Sequence, residues 1–164
     1  MIEADRIKIQ AISLQDIARF SEYRDKEEVA EYQSWDEYPL NKAINRIEYC
    51  QKHPFHGQIG NYQFGLYLKE NNQLIGDIFI EIDGHTTFTL GYTLDSVYWS
   101  KGYASEALKS VFKAMHETYS FKICLCHVYE DNIKSIKLLE RNGFDKIHKS
   151  WFYQDVLYRK MLNK

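Results

Sequence analysis

The residues best suited to chemistry lie between Leu90 and Phe144. Ser100-Lys101-Gly102-Tyr103-Ala104-Ser105 is a small-residue turn between an apolar strand pattern and a long amphipathic helix pattern. The first N–H groups of a helix have no internal partner, and the helix dipole adds positive charge there. Gly102 lacks a Cβ, so a phosphate can approach the backbone closely. Lys101 can add a charge, or it is a solvated surface lysine. Further on, Asn132 opens a second helix pattern with Ser135 one turn inside it, and Asn142-Gly143 stops it. A plain N-cap explains Asn132, and a serine bonded to its own backbone explains Ser135. The open question at this level is which phosphate-bearing ligand the turn receives.

The elements that must position these residues can be read from hydrophobic period. Arg6 to Ile12 alternates as a strand. Ser13 is placed to cap a helix through about Arg24, Glu27 to Tyr32 forms a short helix, and Asn41 is placed to cap a helix through about Lys52. Tyr62–Lys69, Leu74–Ile82 and Thr87–Leu94 read as strands joined by turns at Asn71-Asn72 and Asp83-Gly84, hence antiparallel neighbours. From Gly102 to Tyr119, Ala104, Ala107, Leu108, Val111, Phe112 and Met115 share one helix face. Lys122–Val128 reads as a covered strand and Asn132–Arg141 as a helix with Ile133, Ile136 and Leu139 inward. Phe144 to Ile147 and Trp151 to about Met161 read as closing strands. The expected fold is a mixed α/β layer structure, 1–164 as a single domain.

Composition narrows the class. A chain of 164 residues with 45% hydrophobic and 27% charged residues suits one ordinary soluble domain. Net charge is -2 and Lys and Arg are scattered, which argues against a nucleic-acid or membrane surface. No apolar run reaches the ~18 residues of a membrane span, and the polar start is not that of a signal peptide. Cys50, Cys124 and Cys126 make no disulfide framework, so a cytoplasmic location is expected. Cys124-x-Cys126-His127 lacks the spacing and the fourth ligand of a zinc site, so no metal is expected. The single glycine turn lacks both G-x-G-x-x-G and the P-loop Gly-Lys-Ser/Thr, which weighs against a nucleotide-binding protein.

The element order carries four motifs in sequence: Gly91-Tyr92, Tyr98-Trp99-Ser100-Lys101-Gly102-Tyr103-Ala104-Ser105-Glu106-Ala107, Asn132-x-x-Ser135, and Asn142-Gly143-Phe144. Together they resemble the GNAT superfamily of acyl-CoA-dependent N-acetyltransferases, in particular the branch of the ribosomal-protein acetyltransferases RimJ and RimL. Two positions depart from the superfamily pattern. Trp99 stands where the turn usually begins with Gln or Arg, as is usual in this branch. Thr89 stands where the branch often has Glu.

The resemblance implies a mixed, mostly antiparallel sheet with helices on both faces and a splay between the fourth and fifth strands, Thr89–Leu94 and Lys122–Val128. Acetyl-CoA would enter there as co-substrate. Its pyrophosphate would lie on Trp99, Lys101, Gly102, Tyr103, Ala104 and Ser105. Its pantetheine would run along Tyr92, Thr93 and Leu94, whose backbone N–H groups would face the thioester oxygen. Asn132 would bind pantetheine or water, and Ser135 would bond the sulfur and help protonate the thiolate. Trp35, Asp36 and Glu37 would stand at the acceptor mouth, favouring a cationic amine, with Glu81 near the sheet. Glu81, Asp77, Glu31, Asp36 and Glu37 are the carboxylates open as base, and a water chain is the alternative. The implied reaction is direct attack of a primary amine, on a protein N-terminus or a small molecule, at the thioester. A non-catalytic acyl-CoA sensor is the rival reading. A homodimer is compatible with the resemblance.

Overall fold

Ile7 and Ile9 are fully buried and Lys8 and Gln10 are not, the alternation of a strand with one wet face. In the computed structural model, which describes residues 1–149 and 155–162, this is strand β2 (Ile7–Gln10). The strand before it, β1 (Ile2–Glu3), is too short for any period to announce it. The Ser13 side chain accepts the Gln15 N–H (3.2 Å) over a 3-10 turn that runs into α1 (Ile17–Arg24). The single turn α2 (Glu27–Ala30) follows. Helix α3 (Leu40–Lys52) starts before the expected cap Asn41, because Pro39 supplies the extended cap backbone and its carbonyl accepts from Lys42 (3.0 Å) and Ala43 (3.2 Å).

Strands β3 (Gly60–Leu68), β4 (Leu74–Ile82) and β5 (Thr87–Leu94) form an antiparallel meander. Then come α4 (Tyr103–Glu117), β6 (Ile123–Tyr129), α5 (Ile133–Arg141), β7 (Asp145–Lys149) and β8 (Asp155–Met161). The closing strand expected from Trp151 is seen from Asp155 on; residues 151–154 lie outside the described residues. The sheet runs β1-β2-β3-β4-β5-β6-β8-β7, and β5–β6 is its one parallel pairing among the described residues.

The even-numbered side chains of β4 and β5 (Ile78, Ile80, Ile82, Phe88, Leu90) join Ala107, Leu108, Val111 and Met115 of α4 in one core. Burying these side chains is worth roughly 1.5–3 kcal/mol for each large aliphatic or aromatic one. The opposite face meets α1 and α3 through Phe20, Tyr23, Ala43, Ile47, Tyr67 and Leu74. Helix α5 keeps Leu139 and Ile136 against the core as expected, but Ile133 is turned out. Its inward face reads Ser135, Leu138, Leu139, Asn142, with the two leucines buried, while Ile133 is 53% exposed. At the first turn the Ser135 hydroxyl, rather than Ile133, meets the sheet through Tyr92.

Candidate active site

Strands β5 and β6 pair over three rungs only, Thr87↔Ile123, Phe88↔Cys124 and Thr89↔Leu125. Beyond Thr89 they part. β6 stays in the sheet through its other edge, paired with β8 from Ile123↔Met161 to Tyr129↔Asp155. A cavity of about 1420 Å³ opens through the gap. It reaches from the start of α4 to Trp35 and Tyr38 on the far face.

The turn before α4 is built for close approach from that gap. Ser100 and Gly102 both take left-handed backbone (φ 61° and 86°), which turns the chain sharply into the helix. Gly102 is the N-cap and has no side chain to satisfy the helix start. The first intrahelical bond is Glu106 N to Gly102 O (3.1 Å), so the N–H groups of Tyr103, Ala104 and Ser105 precede the ladder. This is an anion-binding arrangement.

Arg6 braces the turn, a role no local sequence signal announces, since its partners lie about a hundred positions away. Its Nη1 donates to Lys101 O (3.0 Å), its Nε donates to Glu106 Oε2 (2.8 Å), and its guanidinium lies 4.3 Å from the Tyr103 ring centroid. Glu106 Oε1 accepts the backbone N–H of Arg6 (2.6 Å) and of Ile7 (3.3 Å). Glu106→Ala would remove all three acceptor contacts. The expected cost, about 1–3 kcal/mol for strand N–H groups left short of partners, is read by urea unfolding.

The other residues of the implied donor site converge at the splay. Tyr92, on the α4 and α5 side of β5, forms a short hydrogen bond with the Ser135 hydroxyl. Burial pushes the Tyr92 phenol well above its ordinary range, while the contact with Ser135 pulls the other way, so the phenol stays neutral. Asn132 Oδ1 accepts from Ser135 N (3.1 Å), fixing the first turn of α5. Trp99 Nε1 donates to the Leu94 carbonyl (2.9 Å), and the Lys134 ammonium lies 4.8 Å from the indole centroid. Leu94 thus spends its carbonyl on Trp99. Thr93 is buried on the opposite face, its Oγ1 3.4 Å from Arg24 Nη1. Asn142 Nδ2 donates to Ser105 Oγ (3.0 Å), tying the end of α5 to the first turn of α4. Lys101 is exposed, its Nζ 5.4 Å from the Tyr98 ring centroid.

On the acceptor side the structure separates what the sequence grouped. Trp35 lines the cavity, donates from Nε1 to the Arg24 carbonyl (3.0 Å) and lies under the Arg24 guanidinium at 3.8 Å. Asp36, Glu37 and Glu81 are exposed and outside the lining. The loop turns Trp35 and Tyr38 inward and Asp36 and Glu37 outward, and Glu81, paired with Thr89 at the last β5–β6 rung, is exposed. Of the acids expected at the acceptor mouth, Glu31 lines the cavity, with Glu28 beside it, and Arg24, Lys42 and Arg46 line the same half. Asp77 does lie in the wall, but it is 1% exposed and bonded by Arg24 Nη1 (2.7 Å to each oxygen), Tyr23 (2.5 Å) and Gln63 (2.7 Å). A carboxylate held by that many donors is a strut rather than a base. Burial, then the nearby Asp77 charge, raises the Tyr23 phenol well above its ordinary range, so Tyr23 donates as a neutral group.

Cys124 and Cys126 are buried in the core, and burial raises the Cys124 thiol. His127, next along β6, projects from the opposite face with 55% of its side chain exposed. The three do not converge on a point.

A parallel pair that parts beside a glycine-capped helix start, with hydroxyl and amide side chains at the parting, is the arrangement that the GNAT resemblance implies. The family comparison agrees: the Acetyltransferase (GNAT) domain profile matches residues 6–145, and the chain belongs to that family of acetyltransferases. It is 26% identical over 145 residues to an uncharacterised N-acetyltransferase, p20, of Bacillus licheniformis, covering 87% of this chain and 80% of p20. In fold it matches a GNAT-family acetyltransferase of Bacillus anthracis (TM-score 0.86, 19% identity, 98% of each chain). It also matches RimJ of Mycobacterium smegmatis in complex with a CoA disulfide (TM-score 0.80, 16% identity, 94% of this chain and 81% of that one). Among the described residues no helix is long and apolar enough to cross a membrane.

Proposed function

We propose that this protein transfers the acetyl group of acetyl-CoA to a primary amine by direct attack, without a covalent enzyme intermediate. The observation that carries the reading is the three-rung parallel pairing of β5 and β6 opening beside Gly102 and onto the Tyr92–Ser135 hydroxyl pair. Pyrophosphate would sit on the α4 start, with Gly102 giving room and Lys101 free to move to a phosphate. Pantetheine would add as a strand along β5 where β6 leaves it, a recognition the backbone supplies. Asn132 lines the cavity with its Oδ1 spent on capping α5, so its Nδ2 would be the group left to meet pantetheine or water. Ser135 would meet the sulfur: with Tyr92 as the donor of the hydrogen bond between the two hydroxyls, the serine hydrogen would be left for the developing thiolate. The amine would come from the other face, between Trp35, Tyr38 and β5.

The test is an acceptor panel of N-terminal peptides, polyamines, amino acids and aminoglycosides, incubated with acetyl-CoA and read by released thiol. Amine-dependent thiol release, with the acetylated amine found by mass, is the expected result. Binding of acetyl-CoA without thiol release from any amine would favour the sensor.

A further inference from the structure

The reaction needs a group that takes a proton from the amine. Of the carboxylates open as base, Asp77 is held by Arg24, Tyr23 and Gln63, Asp36, Glu37 and Glu81 lie outside the cavity lining, and Glu31 lines it at an exposed position beside the Tyr32 hydroxyl. We propose that His127, held by Asp155, is that general base. His127 Nδ1 lies 3.0 Å from Asp155 Oδ2, and both residues line the cavity. A carboxylate only accepts, so Nδ1 carries the hydrogen and Nε2 presents its lone pair. In the register Thr89↔Leu125, His127 is two residues further along β6, on the same face as Thr89 and Gly91. That is the acceptor face. Ser135 and Tyr92 stand on the other face, with α4 and α5. The trigonal thioester carbon receives its nucleophile on one face and, once tetrahedral, releases the sulfur in another direction. A base on the acceptor face and a proton donor on the opposite face fit that requirement.

The assignment rests on the acetyltransferase reading. The amine nitrogen attacks the thioester carbon, the C–S bond breaks, and the proton lost by nitrogen passes to His127 Nε2 and on to solvent. The thiolate takes a proton through Ser135, which is resupplied from solvent, so the sum is amide plus thiol. Asp155 acts through His127 by fixing its tautomer and is a positioning residue.

The titratable groups facing His127 are few. On β8 the same-face residues are Asp155, Leu157 and Arg159, and His148 of β7 lies opposite Leu157. From β5, Thr89 and Gly91 are uncharged. The β6–α5 connection brings Asp131 and Glu130, the latter bonded by Lys149 (2.6 Å). The α2 side brings Glu31 and Glu28, the latter accepting from Ser96 (2.7 Å).

The experiment compares the full chain with His127→Gln, His127→Ala and Asp155→Asn, using an amine accepted by the unmodified protein. Acetyl-CoA Kd, kcat and the pH profile of kcat/KM are measured for each. His127→Gln should lower kcat by about 10²-fold with Kd unchanged, and should abolish the fall of kcat/KM at low pH. Asp155→Asn should lose roughly 10-fold or more, since an amide at that position favours the wrong tautomer. Added imidazole should restore turnover to His127→Ala. Full kcat in His127→Gln with the acidic limb intact, or a loss confined to Kd or KM, overturns the assignment. If the unmodified protein turns over no amine, the acetyltransferase reading itself fails and the assignment falls with it.

Discussion

Gly102→Asp is expected to weaken acetyl-CoA binding by about 10²-fold or more, with the fold retained. Two effects act at one atom. Gly102 has φ +86°, where an L side chain costs roughly 1–2 kcal/mol. The added carboxylate would also stand among the helix N–H groups proposed for the pyrophosphate, so like charges would oppose each other across a few ångströms. A Cβ at this position would lie 3.2 Å from Arg6 Nη2, so the new carboxylate has a cation to pair with and the turn need not unfold. Gly102→Ala separates the contributions: it carries the strain without the charge and should lose only several-fold. Calorimetry measures both affinities and circular dichroism checks the fold. Unchanged affinity in Gly102→Asp would move the phosphate site away from α4.

The N–H groups behind that prediction were legible in the sequence because they belong to a local motif. A turn and the helix it starts are neighbours along the chain, so residue type and period suffice. The same holds for the Asn132 cap of α5, whose partner is three residues away. What could not be read locally was set by distant pairing. Arg6 reaches Lys101 and Glu106, Asp77 collects Arg24 and Tyr23, and His127 finds Asp155 only through the β6–β8 register. The orientation of the acidic loop is set in the same way. Trp35 and Asp36 are adjacent in sequence, but the Arg24 carbonyl and guanidinium fix which of them faces the cavity. The setting of α5 follows the same rule: Ile136 and Leu139 of the expected stripe meet the core, but bonds to Tyr92 and Ser105 bring Ser135, Leu138 and Asn142 in beside them and leave Ile133 outside.

That selected face makes Ser135 the sharpest division between an enzyme and a binding module. If its hydroxyl donates to the sulfur as charge develops there, the contact is stronger in the transition state than in the ground state. Ser135→Ala should then slow kcat by roughly 10²–10³-fold while acetyl-CoA Kd stays within about threefold. The fold should survive, because the Asn132 cap bond is made by the backbone N–H of residue 135 and alanine keeps it. Tyr92→Phe tests how the hydroxyl is aimed. Removing the phenol leaves Ser135 free to turn its hydrogen elsewhere, so kcat should fall by a smaller factor, about 10-fold, again with Kd preserved. Because the two hydroxyls act as one unit, Tyr92→Phe combined with Ser135→Ala should be no slower than Ser135→Ala alone. Additive losses would mean that Tyr92 reaches the reacting group independently. Equal kcat in Ser135→Ala and the unmodified chain would remove Ser135 from the reaction and leave a water to protonate the thiolate.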